Sequence, residues 1–274
     1  MILSGKDYCA KTEQQMKEII RDKSLSPFLV ILTCDPDDAS RVYLRNKEKA
    51  AKRIGINCLV RYYEKETTTE QLVADIYNYN ERQNISGIIV QLPLPKHIDV
   101  AKVQQAISPK KDVDGFHPNS YFNPCTPAGC INLLTQNNLS VEGKHCVVIG
   151  RSDIVGKPLA RMLLNRNATV SQCHSHTTKE QLATLCSSAD FVFSAAGVPN
   201  LIKPEYLKPG CVLIDISINR DEEGNLCGDA GKGCEEICSY ITPVPGGVGP
   251  ITVNTLMYHT VLAELKRSNY AIPS

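Results

Sequence analysis

The sequence predicts a two-domain α/β protein with parallel sheets, on three observations. Short apolar runs alternate with amphipathic stretches along the whole chain; the runs are apolar throughout, as in buried parallel strands; and a loop-rich region near 118–127 divides them into two sets. A length of 274 residues leaves room for two moderate domains, since single cores stop growing at roughly 250–300 residues. In the first set, strands are expected over 28–32, 58–60 and 88–91, with helices over 39–54 and 69–82 between them. Thr67 and Glu70 have capping-box spacing at the head of the second helix. In the second set, strands are expected over 146–149, 168–171, 191–194 and 212–216, with helices over 155–166 and 179–187. A last helix over 252–267 is expected to pack back on the first half, so that one domain is 1–118 with 250–274 and the other is 119–249.

Composition excludes several classes of partner. Thirty Lys and Arg against 29 Asp and Glu leave a formal charge of +1, so no single-signed field is available to hold nucleic acid or an anionic membrane. The expected ligand is small. Twelve cysteines are scattered and several lie inside apolar runs, as reduced thiols of a cytoplasmic protein would. Cys227, Cys234 and Cys238 cluster without a C-x-x-C pair, so no metal site is expected. The first residues lack a basic segment followed by an apolar stretch, and no run approaches the ~20 apolar residues that span a bilayer. A soluble, unexported chain is expected.

Two glycine-bearing loops stand out. Pro243-Val244-Pro245-Gly246-Gly247-Val248-Gly249-Pro250 mixes stiff and permissive residues, which suits either a tight turn or a loop that presses its backbone on a flat ligand. Gly150-Arg151-Ser152-Asp153-Ile154-Val155-Gly156 follows a predicted strand and opens a predicted helix, the setting of a dinucleotide-binding turn in a Rossmann-like domain. Ser152 stands at the usual second glycine, and Gly156 comes one position late. After the next strand, where an NAD site places a carboxylate, the chain reads Cys173-His174-Ser175-His176-Thr177-Thr178. Nothing there repels a 2′-phosphate, and Arg151 could clamp one, so NADP is favoured over NAD. Ser175 or Thr177 is also expected to cap the helix that follows.

The first half carries less ordinary chemistry. On the 39–54 helix, Tyr43, Lys47, Ala50 and Ile54 fall within roughly 60° of one another, placing Lys47 on the apolar face. Such a lysine either snorkels or, in a partly dry pocket, serves as a base. Gln91 puts an amide at a strand's C-terminal end, where open α/β sheets bind ligands. Asp112-Val113-Asp114-Gly115 puts carboxylates in a turn just before the second half.

In order along the chain, Tyr43-x-x-x-Lys47, Gln91-Leu92-Pro93-Leu94-Pro95, Lys111-Asp112-Val113-Asp114-Gly115, Pro124-Cys125-Thr126-Pro127, Gly150-Arg151-Ser152 with Gly156-Lys157-Pro158, and the segment Thr242 to Thr252 span nearly the whole sequence. Together they resemble the bifunctional methylenetetrahydrofolate dehydrogenase/methenyltetrahydrofolate cyclohydrolases. The resemblance implies an N-terminal folate-binding catalytic domain and an NADP-binding Rossmann-like domain. It also implies NADP-dependent oxidation of 5,10-methylenetetrahydrofolate, hydrolysis of the methenyl product to 10-formyltetrahydrofolate, a place in purine biosynthesis and a homodimer. Lys47 is implied to drive hydrolysis, Gln91 to tune it, Tyr43 to pack on the folate and Asp114 to fix the pterin, with Ser40, Pro245, Gly246 and Gly247 also on the substrate. Gly150, Arg151, Ser152, Ser175 and Ile218 are implied to hold the cofactor. Cys34 and Ser217 stand where the family more often has glycine, and Gly228-Asp229-Ala230-Gly231 lacks a usual valine, which bears on the loop near Ile218. A reductase of a small cyclic keto acid, a dinucleotide-sensing module and a dehydrogenase without hydrolase activity are the rival expectations.

Overall fold

A computed structural model describes residues 1–271; positions 272–274 of the expected C-terminal segment lie outside the described residues. The chain forms α1 (Gly5–Asp22), β1 (Phe28–Cys34), α2 (Asp38–Ile54), β2 (Asn57–Tyr63), α3 (Thr69–Glu81), β3 (Gly87–Val90) and α4 (Val100–Ala106). There follow α5 (Cys125–Gln136), β4 (His145–Ile149), α6 (Gly156–Leu164), β5 (Thr169–Cys173), α7 (Lys179–Ser188), β6 (Phe191–Ser194) and β7 (Val212–Asp215). The last elements are β8 (Asn219–Arg220), β9 (Leu226–Cys227), α8 (Cys234–Ile237), β10 (Tyr240–Ile241) and α9 (Val248–Arg267).

Two compact units result: Met1–Ala10 with Thr126–Thr252, and Lys11–Cys125 with the chain from Val253 onward. In the latter, β2-β1-β3 is a parallel sheet. Its central strand β1 is covered on both faces, which is why Leu29 to Leu32 shows no polar alternation. Leu29 and Ile31 pack with Leu44, Ala51 and Ile54 of α2 and with Leu256, Met257 and Val261 of α9, so the C-terminal helix returns to this half as expected. Val30 and Leu32 pack on the opposite face with Leu72 and Ile76 of α3.

The other unit holds the parallel sheet β10-β7-β6-β4-β5, a doubly wound order, with the β8–β9 hairpin beside it in the chain. The first ten residues, placed with the first half on sequence order, group here instead. Ile2 bridges Ile241 in parallel, Leu3 N–H donates to Ile241 O at 2.8 Å, and Leu3 and Tyr8 join the core of Phe193, Ile214 and Val248.

Three local expectations change. The α3 cap is Thr68, not Thr67: Thr68 Oγ1 accepts from Gln71 N–H, Gln71 Oε1 accepts from Thr68 N–H, and Thr67 O is taken by His97 Nε2 at 2.9 Å. The cap of α7 is Thr178, not Ser175 or Thr177, again in a capping box with a glutamine, Gln181. Helix α9 begins at Val248, inside the Pro/Gly run, because Pro250 lies in its first turn, where no amide donor is required. Helices α1, α4, α5 and α8 and strands β8 to β10 lie outside the sequence expectations.

Candidate functional site

The chemistry-bearing residues fall into two groups, one in each unit. In the Lys11–Cys125 unit, α2 starts from Asp37, whose carboxylate accepts Ser40 N–H at 2.7 Å, and stops at Gly55 in the left-handed region at φ 97°. Ser40 is buried in the first turn. Leu44, Ala51 and Ile54 face the core, whereas Tyr43 keeps 44% of its surface exposed and Lys47, one turn further on, is half-buried at the edge between them.

Lys47 Nζ donates to Gln91 Oε1 at 2.8 Å. Gln91 follows β3 directly, its N–H donating to Leu32 O at 2.8 Å, so the β1–β3 ladder sets its backbone. Gln91 Nε2 donates to Leu92 O at 2.7 Å, which leaves only the amide oxygen to meet Lys47. The Lys47 nitrogen is held by an amide acceptor.

The Asp-x-Asp-Gly turn divides its two carboxylates by role. Asp112 is buried and accepts from Gly115 N–H at 3.1 Å and His117 N–H at 2.8 Å, so it builds the turn. Asp114 is thereby released from turn duty. Burial raises its carboxyl above the ordinary range, opposed by the Lys47 charge and reinforced by Asp112. Lys47, Gln91 and Asp114 are therefore brought together. Gly115 has φ 80°, and a Cβ there would strike the backbone of Asn123 and Pro124, so only glycine lets the turn close.

Sequence reasoning missed the support behind Asp114. His259, on α9, donates from Nδ1 to Val113 O at 2.9 Å and stacks on Phe122 with ring centroids 4.7 Å apart. Cys125 Sγ donates to the same carbonyl at 3.3 Å and lies 3.7 Å from His259 Nδ1. Burial pushes His259 down to about 4, with the Val113 hydrogen bond opposing it, so the ring is neutral. A partner 146 positions away leaves no local signal.

In the other unit, Gly150 turns at φ 116° off the end of β4, its N–H donating to Cys173 O at 2.9 Å. A Cβ at Gly156 would strike Gly150 O, so the late glycine performs the close helix-on-strand approach. Ser152 Oγ accepts from Val155 N–H at 3.2 Å and Gly156 N–H at 3.4 Å, closing the turn that leads into α6. Ile149 pairs with Cys173, so Arg151 and Ser175 each lie two residues beyond one register pair on neighbouring strands; both are exposed. Ile218, 45% exposed, follows β7. Asp229, fully buried, gathers hydrogen bonds from the ends of β6 and β7 and was noticed in the sequence only as part of an atypical loop. These residues lie along the C-terminal edge of a doubly wound sheet, where nucleotides bind.

Of the Pro/Gly run, Pro245 is exposed, Gly246 is half-buried and Gly247 is buried. Gly5 N–H donates to Gly246 O at 3.0 Å, and a Cβ at Gly5 would strike Gly247 O. The backbone of the run thus presses on the start of α1. No cluster of His, Cys, Asp and Glu suited to a metal, and no helix long and apolar enough to cross a membrane, occurs among the described residues.

Two family models cover the chain: "Tetrahydrofolate dehydrogenase/cyclohydrolase, catalytic domain" matches 3–114, and "Tetrahydrofolate dehydrogenase/cyclohydrolase, NAD(P)-binding domain" matches 124–268. The bifunctional protein FolD of Acetivibrio thermocellus is 44% identical over 275 residues, 96% of each chain. The crystal structure of the bifunctional FolD methylenetetrahydrofolate dehydrogenase/cyclohydrolase from Campylobacter jejuni superposes with a TM-score of 0.94 at 39% identity, covering 97% of this chain and 99% of that one. The Trypanosoma brucei dehydrogenase-cyclohydrolase, solved with NADP cofactor and inhibitor, does so with a TM-score of 0.89 at 34% identity over 99% of each chain.

Proposed function

The chain belongs to the tetrahydrofolate dehydrogenase/cyclohydrolase family, and we propose that Lys47, held by Gln91 beside Asp114, is the centre of its folate chemistry. It is a bifunctional enzyme that uses NADP. It oxidises 5,10-methylenetetrahydrofolate to the 5,10-methenyl cation, and water then adds to that cation to give 10-formyltetrahydrofolate and a proton.

The observation that carries the assignment of roles is the 2.8 Å contact between Lys47 Nζ and Gln91 Oε1, with the half-buried Asp114 carboxyl within reach of the Lys47 charge. In its neutral amine form Lys47 accepts the proton of the attacking water and passes it on, while Gln91 orients the amine. Asp114 takes the pterin's amino and ring N–H groups, and the exposed ring of Tyr43, one helical turn before Lys47, packs on the pterin face. Ser40 stands two turns before Lys47 on the same helix.

The second unit fits NADP. The close approach of Gly156 to Gly150 in the turn between β4 and α6 suits the pyrophosphate, and exposed Arg151 and Ser175 on adjacent strand ends suit the 2′-phosphate. Ser152 closes the turn into α6 and Ile218 offers backbone. When bound, the cofactor supplies the hydride acceptor. A cytoplasmic homodimer serving purine biosynthesis completes the reading, supported by the family resemblance.

The test follows absorbance at the NADPH and methenyl bands with methylenetetrahydrofolate as substrate. NADPH is expected to form faster with NADP⁺ than with NAD⁺, and the methenyl band to decay. Absence of NADPH would overturn the assignment.

A further inference from the structure

Strand order divides the nucleotide edge into two ends. The chain steps from β4 to β5 on one side and to β6 and then β7 on the other, so the loops after β4 and β6 flank the switch point. They touch: Ala195 N–H donates to Ile149 O at 2.7 Å, beside the Gly150 turn. With the 2′-phosphate residues at β5 and the pyrophosphate at the start of α6, the rest of a dinucleotide extends over the ends of β6 and β7. Two loops meet it there, Ala195–Ala196–Gly197–Val198 and Ser217–Ile218–Asn219.

Both loops hang on one carboxylate. Asp229 Oδ2 accepts from Ser194 Oγ at 2.7 Å, Ser217 Oγ at 2.7 Å, Ala196 N–H at 2.9 Å and Gly197 N–H at 3.3 Å. Asp229 Oδ1 accepts from Val198 N–H at 2.8 Å and Asn219 Nδ2 at 3.0 Å. Six donors saturate the two oxygens. Ser217 adds a direct bridge, since its hydroxyl also accepts Gly197 N–H at 3.0 Å while its own N–H donates to Asp215 Oδ1 at 3.2 Å. A glycine at 217 could make only the last of these bonds.

Resting on the NADP reading above, we infer that Asp229 is a positioning residue for the nicotinamide half of the cofactor, acting through Ser217 on the loop that carries Ile218. It touches neither substrate nor cofactor. Its carboxylate converts two strand-end loops into one rigid surface, and rigidity lowers the entropy lost when the flat ring is placed. No neutral isostere can replace it. An asparagine amide turned either way sets an NH₂ against at least one backbone donor, Ala196 and Gly197 on one side or Val198 on the other, and a backbone N–H cannot rotate away.

The test measures NADPH affinity by the cofactor's own fluorescence on the full-length enzyme, with Asp229→Asn, Ser217→Ala and Ser194→Ala. Hydrogen-exchange protection of the β4, β6 and β7 peptides, which lie in the same unit as Asp229, reports the fraction of enzyme folded. Asp229→Asn is expected to raise the NADPH Kd about 10-fold or more and Ser217→Ala about 3- to 5-fold, per folded enzyme. Ser194→Ala removes an equally short bond to the same oxygen but frees no loop, so it is expected to lower Tm about as much as Ser217→Ala while moving Kd less than about 2-fold. A wild-type Kd in folded Asp229→Asn overturns the inference. So do equal Kd changes in the two serine variants, because the network would then act on stability alone. If Asp229→Asn does not fold, the two serine variants decide. Failure of the wild type to bind NADPH would instead overturn the nucleotide reading itself.

Discussion

Acidification should act in opposite directions on the two units, through one buried histidine and one buried aspartate. His259 is 7% exposed and donates through Nδ1 to Val113 O, so protonating its free nitrogen would bury a cation against Phe122 and Cys125. Its folded-state value is about 4, below the ordinary 6.5, so the unfolded chain takes up the proton first. The stability this group confers is present above pH 6.5 and is lost as pH falls towards 4. Between pH 7 and pH 5 the loss is about 2 kcal/mol. Asp215 behaves in reverse. It is buried, and its folded-state value lies at about 6 against 3.8, mainly through burial, so the folded chain takes up the proton first and this unit gains about 1 kcal/mol over the same interval.

Because His259 belongs to the unit containing Lys11–Cys125 and Asp215 to that containing Thr126–Thr252, hydrogen exchange read by peptide separates them. After correction for intrinsic rates, protection in the most protected β1 and β3 peptides should fall roughly 30-fold from pH 7 to pH 5, relative to His259→Asn measured identically. Asparagine keeps a donor for Val113 O but cannot titrate; it loses the Phe122 stack, so only the pH slope is compared. In the β4, β6 and β7 peptides, protection should instead rise relative to Asp215→Asn. If wild type and His259→Asn lose protection equally between the two pH values, the burial argument for His259 is refuted.

Two further outcomes test the assigned chemistry. Lys47→Met should lower hydrolysis of added methenyltetrahydrofolate at least about 100-fold while the NADPH Kd is retained; undiminished hydrolysis would remove Lys47 from the reaction. Arg151→Ala should raise KM for NADP⁺ about 10-fold or more but KM for NAD⁺ less than about 2-fold, and an unchanged ratio of the two would remove Arg151 from phosphate recognition.

What the sequence revealed and what it hid divide along the range of the interactions responsible. The central strands were legible because burial on both faces leaves unbroken runs such as Phe191–Ser194, and α2 was legible because its charged and apolar faces separate. Lys47 was legible for the same reason: its position on the helix conflicts with its charge. Cap positions were not. Thr67 and Thr68 both satisfy the spacing rule, and the choice is made by His97, thirty residues on, which occupies the Thr67 carbonyl. Likewise Ser175, Thr177 and Thr178 all read as caps locally; Thr177 is drawn back to close a turn onto His174 N–H at 3.0 Å, leaving Thr178 to cap.

The departures from family pattern show the same limit more sharply. Cys34, where glycine is commoner, fills buried space and donates Sγ to Glu64 O at 3.0 Å, a bond that exists only because β1 and β2 pair in that register. Ser217 reads in sequence as a lost glycine and hence a loosened loop. In the fold its hydroxyl joins Gly197 to Asp229, twenty residues one way and twelve the other, so the substitution supplies a tie instead of removing a hinge. Whether a glycine-to-serine change loosens or fastens a loop depends on what faces its Cβ, and that is set by strand order, which no single loop encodes.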